Sequence, residues 1–392
     1  MKYKIIDMSN EKVLCKGKVE KIGENSSKFS YKTIYDVSID RDIDVINSHD
    51  DAFEYIRNII TDKNIGIIKN LSEIDGVGHR VVHGGEYFKK PAIISDDVIN
   101  NIESLIPLAP LHNNSNLSGI KACIKILGKD VPQVAVFDSS YYCDIPDYAY
   151  MYPVPYEYYK KHNIRKYGFH GTSHQYVSER CAKLMNKNLS DLKIISCHLG
   201  NGSSITAIKE GKPIETSMGL TPLGGIMMGT RSGSLDPSVI LQIAEKDSLS
   251  IQEISEILHK KSGLKAIAGI GSSDDREILK AEQNGNKRAI LAHKMMIHQI
   301  VQYIGGYIAI LGGCNAIIFT GGIGENQWIH RENICNYFSF MGLEIDKLKN
   351  RDTILGKEGK VSSNNSKVEV FVIPTNEELA IARFTMQLIE KY

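Results

Sequence analysis

The stretch "SCHLGNGSSITAI", residues 196–208, constrains the fold most, because it joins two strand patterns through a short glycine-containing turn. The turn is rich in Asn and Ser. Such a turn directs backbone N–H groups and small hydroxyls at one point, an arrangement that suits a phosphate group. The stretch therefore predicts a β-hairpin with an anion site at its turn.

Composition limits the class of protein. The 392 residues exceed what one hydrophobic core usually serves, so we expect two domains. Basic and acidic residues number 47 and 46, a balance that favours neither a nucleic acid nor an anionic membrane as partner. The seven cysteines form no C-x-x-C pair, which favours reduced thiols in a cytoplasmic protein over a zinc ribbon or a disulfide framework. The most apolar stretch, 300–311, is too short to span a bilayer and predicts a buried helix or a subunit interface.

The order of patterns indicates an α/β fold. The chain opens with the alternating "KYKIIDM", "VLCKGKV" and "KTIYDVSI", which predict a β-meander. Apolar strand patterns then alternate with helical spacing. The strand "VPQVAVFD" ends in Asp138, "NAIIFTGGIGEN" runs into a glycine loop, and "KVEVFVIPTNEELAIARFTMQLI" predicts a last strand followed by a closing helix.

Four residues are candidates for chemistry. His170 in "YGFHGTSHQYV" precedes a predicted helix N-terminus, where an anion is stabilised, although a packing role or a zinc pair with His174 stays open. Arg80 in "GHRVVHGG" and Arg231 in "MGTRSGSLDP" lie among glycines. They suit bidentate capture of a carboxylate or phosphoryl group, although lone arginines are often plain surface charges. Asp138 lies at the carboxyl end of a strand, where ligands gather in α/β folds, unless it only caps the next turn.

Three further segments give weaker signals. "FTGGIGEN" has neither the dinucleotide spacing nor a Walker lysine, so it indicates only that something approaches the backbone closely. The polar run 274–276 in "GSSDDREIL" could meet a ribose or adenine. In "PTNEELAIA", Thr375 and Glu378 predict a capping box, which leaves Glu377 to face a metal ion.

With "HRVVHGG", "LAPLHN", "VFD", "RKYGFHGTSH", "CHLGNGSS", "FTGGIGEN" and "IPTNEELAIAR" in this order, the chain resembles acetate kinases from residue 2 to residue 392. The resemblance implies a two-lobed, duplicated ribonuclease H-like fold of the actin-like ATPase type, with mixed sheets flanked by helices. Residues 1–141 and 375–392 would form the N-terminal lobe on the carboxylate side. Residues 142–374 would form the C-terminal lobe, with the nucleotide site and a homodimer interface.

The activity implied by the resemblance is reversible, Mg²⁺-dependent, in-line phosphoryl transfer from ATP to acetate, which gives acetyl phosphate and ADP, with Mn²⁺ as an alternative ion. Arg80 would bind the carboxylate, Asp138 would position or activate it, and Glu377 would bind the metal. His170 and Arg231 would stabilise the transferring group. The acyl pocket would comprise Val82, Leu111, Phe169 and Pro222. The ATP site would comprise Lys2, His198, Leu199, Gly200, Asn201, Gly202, Asp274, Asp275, Arg276, Gly322, Ile323, Gly324, Glu325 and Asn326.

Two departures from the family pattern lie close to the expected site. "FDSSYYCDIP" places Tyr142 where many members have an active-site-adjacent histidine, and "LHNNSN" replaces "LHNPPN". Two alternative functions stay open. The chain could be a propionate or butyrate kinase relative, or a catalytically silent paralogue that binds nucleotide or acetate.

A third departure concerns the first residues. Family members begin with a strand and a loop of the type "V-I-N-x-G-S-S-S", which supplies a second phosphate hairpin, whereas this chain reads "MKYKIID". The resemblance puts that first strand inside a sheet, so its loss would leave buried backbone groups unpaired at about 1–3 kcal/mol each. A domain stable by roughly 5–15 kcal/mol would have to rearrange. We therefore expect a frayed terminus around Lys2 and a full-length kinase whose start lies upstream.

Overall fold

The computed structural model describes residues 1–110 and 112–391, so Leu111 of the predicted acyl pocket lies outside the described residues. The chain divides into two compact units. The first comprises Met1–Ser140 and Asn376–Tyr392, and the second comprises Tyr141–Thr375. These boundaries differ by one residue from the predicted lobe boundaries.

The strands of the described chain are β1 Lys2–Asp7, β2 Lys12–Glu20, β3 Ser27–Thr33, β4 Ser38–Ile43, β5 Val77–Val81, β6 Ala92–Ile93, β7 Gln133–Phe137, β8 Lys193–His198, β9 Ser204–Lys209, β10 Lys212–Thr216, β11 Ala316–Thr320, β12 Gly359–Lys360 and β13 Glu369–Val372. The helices are α1 His49–Ile60, α2 Asp96–Ser104, α3 Asn113–Leu127, α4 Asp147–Tyr150, α5 Glu157–His162, α6 Gly171–Met185, α7 Pro237–Asp247, α8 Ile251–Lys260, α9 Gly263–Ala268, α10 Asp275–Gln283, α11 Lys287–Leu311, α12 Gly321–Asn326, α13 Trp328–Asn336, α14 Lys347–Asp352 and α15 Glu377–Ile389.

The first unit begins with an antiparallel meander in the order β1-β2-β3-β4, which confirms the prediction from the alternating pattern. Lys2 pairs with Lys18 in this sheet, and the Met1 amino group donates to the carbonyl of Val19 at 2.6 Å. The expected fraying around Lys2 is therefore wrong, because both backbone and amino-terminal hydrogen bonds fix this end of β1.

A second sheet of the first unit has the order β5-β7-β6, with β5 and β7 parallel. Helix α15 packs against β5 and β7 of this sheet and also against β1 of the meander. Among the described strands, none pairs with both sheets, and β1 and β5 are edge strands. The closing helix therefore contacts both sheets of the unit.

The second unit is built on a mixed six-stranded sheet of order β10-β9-β8-β11-β13-β12. Its central strands β8, β11 and β13 are parallel, and β8 and β9 form the predicted hairpin, with His198 opposite Ser204. Ile195 and Phe319 face a core that includes α11, whereas Ile194 faces a core that includes α6. Helices thus cover both faces of the sheet, which explains its continuous apolar strands and confirms the predicted α/β class with mixed sheets flanked by helices.

The apolar stretch 300–311 forms the second half of α11, and Ile300, Ile304 and Leu311 are buried as predicted. Within the described part of the chain, no helix is both long enough and apolar enough to cross a membrane. All seven cysteines lie among the described residues and carry free thiols.

Candidate active site

Arg80 and Asp138 are brought together by the parallel pairing of β5 and β7. Arg80 stands opposite Val136 in the register, and the N–H of Asp138 continues the ladder by donating to Val81. The guanidinium binds the carboxylate through two parallel contacts, Nε to Oδ1 at 3.1 Å and Nη2 to Oδ2 at 2.5 Å. The Asp138 side chain is 1% exposed and that of Arg80 is 42% exposed. Asp138 therefore fixes a guanidinium whose outer edge reaches the surface.

The charge of Arg80 is secured by its surroundings. The Asp138 carboxylate outweighs the effect of burial and, together with Glu377, raises the pKa of the Arg80 guanidinium above its usual value. Arg80 therefore stays cationic at any physiological pH, as an anion-binding group requires.

The loop after β5 is held by side chains from α3 and from the end of β7. Asn116 Oδ1 accepts from the N–H of Val82 at 3.1 Å, and Asn113 Oδ1 accepts from the N–H of His83 at 3.0 Å. Ser139 Oγ accepts from the next backbone N–H at 2.8 Å. These roles were not foreseen, although Ser139 belongs to a stretch that departs from the family pattern, and Asn113 and Asn116 are the positions of "LHNNSN" that match it.

Glu377 lies in the first turn of α15. Its Oε1 atom is buried and has no hydrogen-bond partner among the described residues. The predicted capping box is wrong, because the Asn376 side chain caps the helix, and Glu378 instead pairs with Lys4 at 3.1 Å. A buried carboxylate oxygen without a donor is a suitable ligand for a hard cation.

In the second unit, three side chains form a continuous hydrogen-bonded chain behind His170. His170 Nδ1 lies 2.9 Å from Ser204 Oγ, which lies 2.8 Å from His174 Nε2. His174 Nδ1 lies 2.9 Å from Ser196 Oγ. Burial, and to a lesser extent His198, lowers the pKa of His174 well below its usual value, so this ring is neutral. Since both of its nitrogens contact serines, His174 is not available as the zinc partner of His170.

The backbone of His170 is itself unusual. It adopts a left-handed conformation, with φ of 60°, directly before α6. Its ring stacks on that of His198, with centroids 4.2 Å apart. A non-glycine residue in this conformation costs free energy and is held there by its surroundings.

His170, Arg231 and the "HLGNG" turn converge on one point. A Cβ atom placed on Gly202 would lie 3.5 Å from His170 Nε2 and 3.5 Å from Arg231 Nη1. Arg231 Nη1 also donates to the carbonyl of Pro222 at 3.0 Å, which fixes the guanidinium. The turn, one imidazole and one guanidinium thus surround a space that suits an anion.

The predicted phosphate turn packs directly on the second glycine loop. The carbonyl of Leu199 accepts from the N–H groups of Ile323 and Gly324 at 2.8 and 3.1 Å. Gly321 has a φ of +76°, and a Cβ there would lie 2.7 Å from the same carbonyl. The close backbone approach predicted from "FTGGIGEN" is therefore made by Leu199 of this chain.

The side chains of Glu325 and Arg331 hold this second glycine loop in place. Glu325 Oε1 accepts from the N–H groups of Gly321 and Thr375 at 2.9 and 3.2 Å. Arg331, 1% exposed, donates to the carbonyls of residues 324 and 325 at 2.8 Å. Burial lowers the pKa of Arg331 to about 10, so it is still cationic at neutral pH. Its position on α13 gave no signal in the sequence.

The run 274–276 divides between surface and interior. Asp274 caps α10 and pairs with Arg276, with Nε to Oδ1 at 3.0 Å, at the exposed end of the helix. Asp275 is 5% exposed and its carboxylate contacts His293 and His330. Only two of these three predicted nucleotide contacts therefore present a side chain at the surface.

The remaining predicted contacts, those of the acyl pocket and of Lys2, belong to different parts of the chain. Val82 is buried in the first unit, whereas Phe169, which is 1% exposed, and Pro222 belong to the second unit. Lys2 is exposed on β1. The acyl pocket and the role of Lys2 stay predictions.

A comparison with protein families decides the assignment, because residues 1–383 match the model described as the acetokinase family. The chain belongs to the acetokinase family. It is a phosphotransferase, and as a kinase it uses ATP and ADP.

Similar acetokinases are found among bacteria. The acetate kinase of Thermotoga maritima is 50% identical over 392 residues, which cover 100% of this chain and 96% of that protein. The crystal structure of the Porphyromonas gingivalis acetate kinase has a TM-score of 0.93 at 44% identity, covering 99% of this chain and 96% of that chain. A propionate kinase from Francisella tularensis has a TM-score of 0.91 at 40% identity, covering 98% and 96%.

Tyr142, which stands where many acetokinases have a histidine next to the active site, has a structural role. It is buried, and its hydroxyl donates to the carbonyl of Phe169 at 2.8 Å and lies 3.0 Å from Thr206 Oγ1. A Cβ on Gly168 would lie 2.6 Å from the Tyr142 ring. Tyr142 therefore supports the turn that ends in His170.

Proposed function

We propose that this enzyme transfers the γ-phosphoryl group of ATP to acetate, giving acetyl phosphate and ADP, and that it catalyses the reverse reaction. The convergence of His170 Nε2 and Arg231 Nη1 beside Gly202 carries the proposal. The acetate kinases that are about 50% identical over the full chain give it independent support.

The chemical difficulty is electrostatic. Acetate is already ionised at neutral pH, so no general base is needed to make it a nucleophile. Both reactants are anions, and the transition state spreads negative charge over the transferred phosphoryl oxygens. Fixed donors in place before the reaction stabilise that charge, and a direct in-line transfer needs no covalent intermediate on the protein.

One of the two directions in which the serine–histidine chain can be hydrogen-bonded gives His170 the tautomer that this role requires. If Ser196 donates to His174 Nδ1, then His174 Nε2–H donates to Ser204, and Ser204 donates to His170 Nδ1. His170 then carries its proton on Nε2, the atom that faces the anion space. The neutral state of His174 is what allows its ring to accept at one nitrogen and donate at the other.

Arg80 would bind the acetate carboxylate through the outer edge of its guanidinium. Asp138 then acts as a positioning residue, because its two oxygens occupy Nε and Nη2 of Arg80. Arg80 belongs to the first unit, and His170 and Arg231 belong to the second.

For ATP, we assign the phosphates to the turn His198–Gly202 and the nucleoside to Asp274 and Arg276 with the loop Gly322–Asn326. The contact between Leu199 and the second loop supports this assignment, because it makes the two glycine segments neighbours. Lys2 on β1 is retained as a predicted phosphate contact.

Mg²⁺, with Mn²⁺ as an alternative, would be held by Glu377. The buried, unpaired Oε1 of Glu377 fits a hard cation with oxygen ligands. When bound, the ion would neutralise phosphate charge. Lys4 supports the site from β1 by pairing with the neighbouring Glu378.

The acid substrate is tested by measuring acyl hydroxamate formation with acetate, propionate and butyrate under one set of conditions. An apolar pocket separates acids by about 1–3 kcal/mol per methylene, so we expect acetate to have the highest kcat/KM and propionate to react more slowly. A higher kcat/KM with propionate would assign a propionate kinase, as the Francisella tularensis neighbour suggests. ADP binding without product from any acid would identify the silent paralogue and overturn the proposal.

Gly202→Ala tests the anion space itself. Gly202 is not in the left-handed region, and the added methyl group would make ordinary contacts at 3.5 Å, so we expect unchanged folding. The methyl group would nevertheless occupy the space that His170 and Arg231 face, and we expect kcat to fall at least tenfold. Hydroxamate assays and thermal melting check both results. Gly119→Ala in α3, where a Cβ meets nothing within 4 Å, is the matched control. An unchanged kcat would show that the phosphoryl group lies elsewhere.

We also infer a homodimer formed through the second unit and a cytoplasmic location. Gly305 and Gly306 of α11 have open space where a Cβ would stand, and Ile310 nearby is 54% exposed, which supports a close helix contact between subunits. Light scattering on the purified enzyme would give twice the chain mass.

The inferred cytoplasmic location is supported by the cysteines. Five of the seven free cysteines are buried, which fits a reducing compartment.

A further inference from the structure

Three side chains from different helices meet inside the second unit, away from the residues assigned to phosphoryl transfer. Asp275 is the first residue of α10, His293 lies on α11, and His330 lies on α13. They are 5%, 2% and 1% exposed. A ligand atom from each lies within 4.8 Å of the other two.

The separations fit a metal centre, although the contact between His330 and Asp275 also meets the criteria of a long hydrogen bond. The Nε2 atoms of His293 and His330 each lie 3.3 Å from the same oxygen, Asp275 Oδ1. This is longer than the usual 2.7–3.2 Å of an N–H···O hydrogen bond. Two ligand atoms bound tetrahedrally to zinc at ~2.0–2.1 Å are separated by about 3.3–3.4 Å.

The cluster also contains polar atoms that the protein does not satisfy. His293 Nε2, His330 Nδ1 and Asp275 Oδ2 are buried without a hydrogen-bond partner among the described residues. Leaving such atoms unpaired costs about 1–3 kcal/mol each. A bound cation would convert His293 Nε2 from an unpaired atom into a ligand and would share the charge of the carboxylate.

The surroundings of His293 fit the same interpretation. Glu282, a half-buried residue of α10, is hydrogen-bonded to His293 Nδ1. A carboxylate on the far nitrogen fixes the tautomer of a metal-binding histidine, so that the other nitrogen presents its lone pair to the ion. His293 Nε2 is the nitrogen that faces Asp275.

We propose that Asp275, His293 and His330 bind one divalent transition-metal ion, with Zn²⁺ the best match to two imidazoles and a carboxylate. The second oxygen of Asp275 or a water would complete four-coordination. Mg²⁺ is disfavoured, because it prefers oxygen ligands. The ion would join α10, α11 and α13, and so fix the helix end that carries Asp274 and Arg276.

The test uses the whole enzyme, freed of metal by dialysis against a chelator and then titrated with Zn²⁺ in excess Mg²⁺. The excess Mg²⁺ occupies oxygen sites such as that of Glu377. Calorimetry should give one Zn²⁺ per chain, and Co²⁺ in its place should give the strong visible absorption of a four-coordinate ion. His293→Gln and His330→Gln should weaken binding at least a hundredfold, and Glu282→Gln about 10–100-fold.

His298→Gln is the matched control, because His298 is an exposed histidine of the same helix, and this variant should bind as the unchanged enzyme does. Circular dichroism of the metal-free variants checks their folding. If a histidine variant does not fold, the Co²⁺ spectrum of the unchanged enzyme and the Glu282→Gln titration decide whether these residues bind the ion. The proposal fails if the unchanged enzyme binds no Zn²⁺, or if the folded His293→Gln variant binds it equally well. None of these readouts depends on phosphoryl transfer.

Discussion

Arg231→Lys should lower kcat about a thousandfold, the largest effect that we expect from any single change in the second unit. The guanidinium lies beside the anion space, with Nη1 held by the carbonyl of Pro222, and lysine cannot reproduce its planar set of donors. Donors aimed at the charge of the transition state contribute 10²–10³-fold each, and arginines at transferring phosphoryl groups up to about 10⁵-fold. Because the group acts mainly in the transition state, the KM for ATP should change little.

The measurement is steady-state kinetics in both directions, with acetyl phosphate and ADP as the second pair of substrates. Arg180→Lys is the control, because Arg180 also makes a two-point contact, with Glu358 at 2.8 and 2.7 Å, but on the surface. That variant should retain full activity. A kcat for Arg231→Lys within tenfold of the unchanged enzyme would remove Arg231 from the mechanism.

Arg80→Met should impair both acetate binding and folding stability. The change leaves the buried Asp138 carboxylate without its guanidinium partner, and breaking a buried ion pair from one side costs about 3–5 kcal/mol. We expect the lower end of this range for the loss of stability, because the Arg80 side chain is itself 42% exposed. Loss of a charged contact to the substrate, at about 1.5–3 kcal/mol, should raise the KM for acetate about 10–100-fold.

The double variant Arg80→Met with Asp138→Leu separates these two effects. Removing both charges should restore most of the stability, measured by thermal melting, but none of the acetate affinity. Arg80→Lys should keep the charge and most of the stability while still raising the KM for acetate, because it cannot bind Asp138 at two points. If the double variant binds acetate normally, Arg80 is a structural residue only.

Local patterns in the sequence predicted the parts of the site that depend on neighbouring residues. The hairpin 193–209 and its "HLGNG" turn follow from alternation and glycine placement, and the meander of the first unit follows in the same way. Motif order gave the family. The capping box at Thr375 failed because Asn376 competes for the same helix end, a choice that depends on backbone geometry.

Such local patterns could not predict contacts between residues that are far apart in the sequence. Arg80 and Asp138 were each singled out, but their pairing depends on the register of two parallel strands. The cluster of Asp275, His293 and His330 gave no signal, because its residues come from three helices and share no spacing. Arg331 was overlooked for the same reason, since its partners are backbone carbonyls that composition cannot reveal.

The loop after β5 is held through its backbone, by Asn113, Asn116 and Ser139. The loop's own His83 adds one further hold, because its Nδ1 accepts from the N–H of Gly85 at 3.0 Å. Val82, the buried residue proposed for the acyl pocket, is part of this loop, and its own backbone N–H makes one of these hydrogen bonds. Under the proposed function, a change of acid preference at this position would be limited by the packing of a buried side chain, and the hydrogen bonds that hold the main chain would persist.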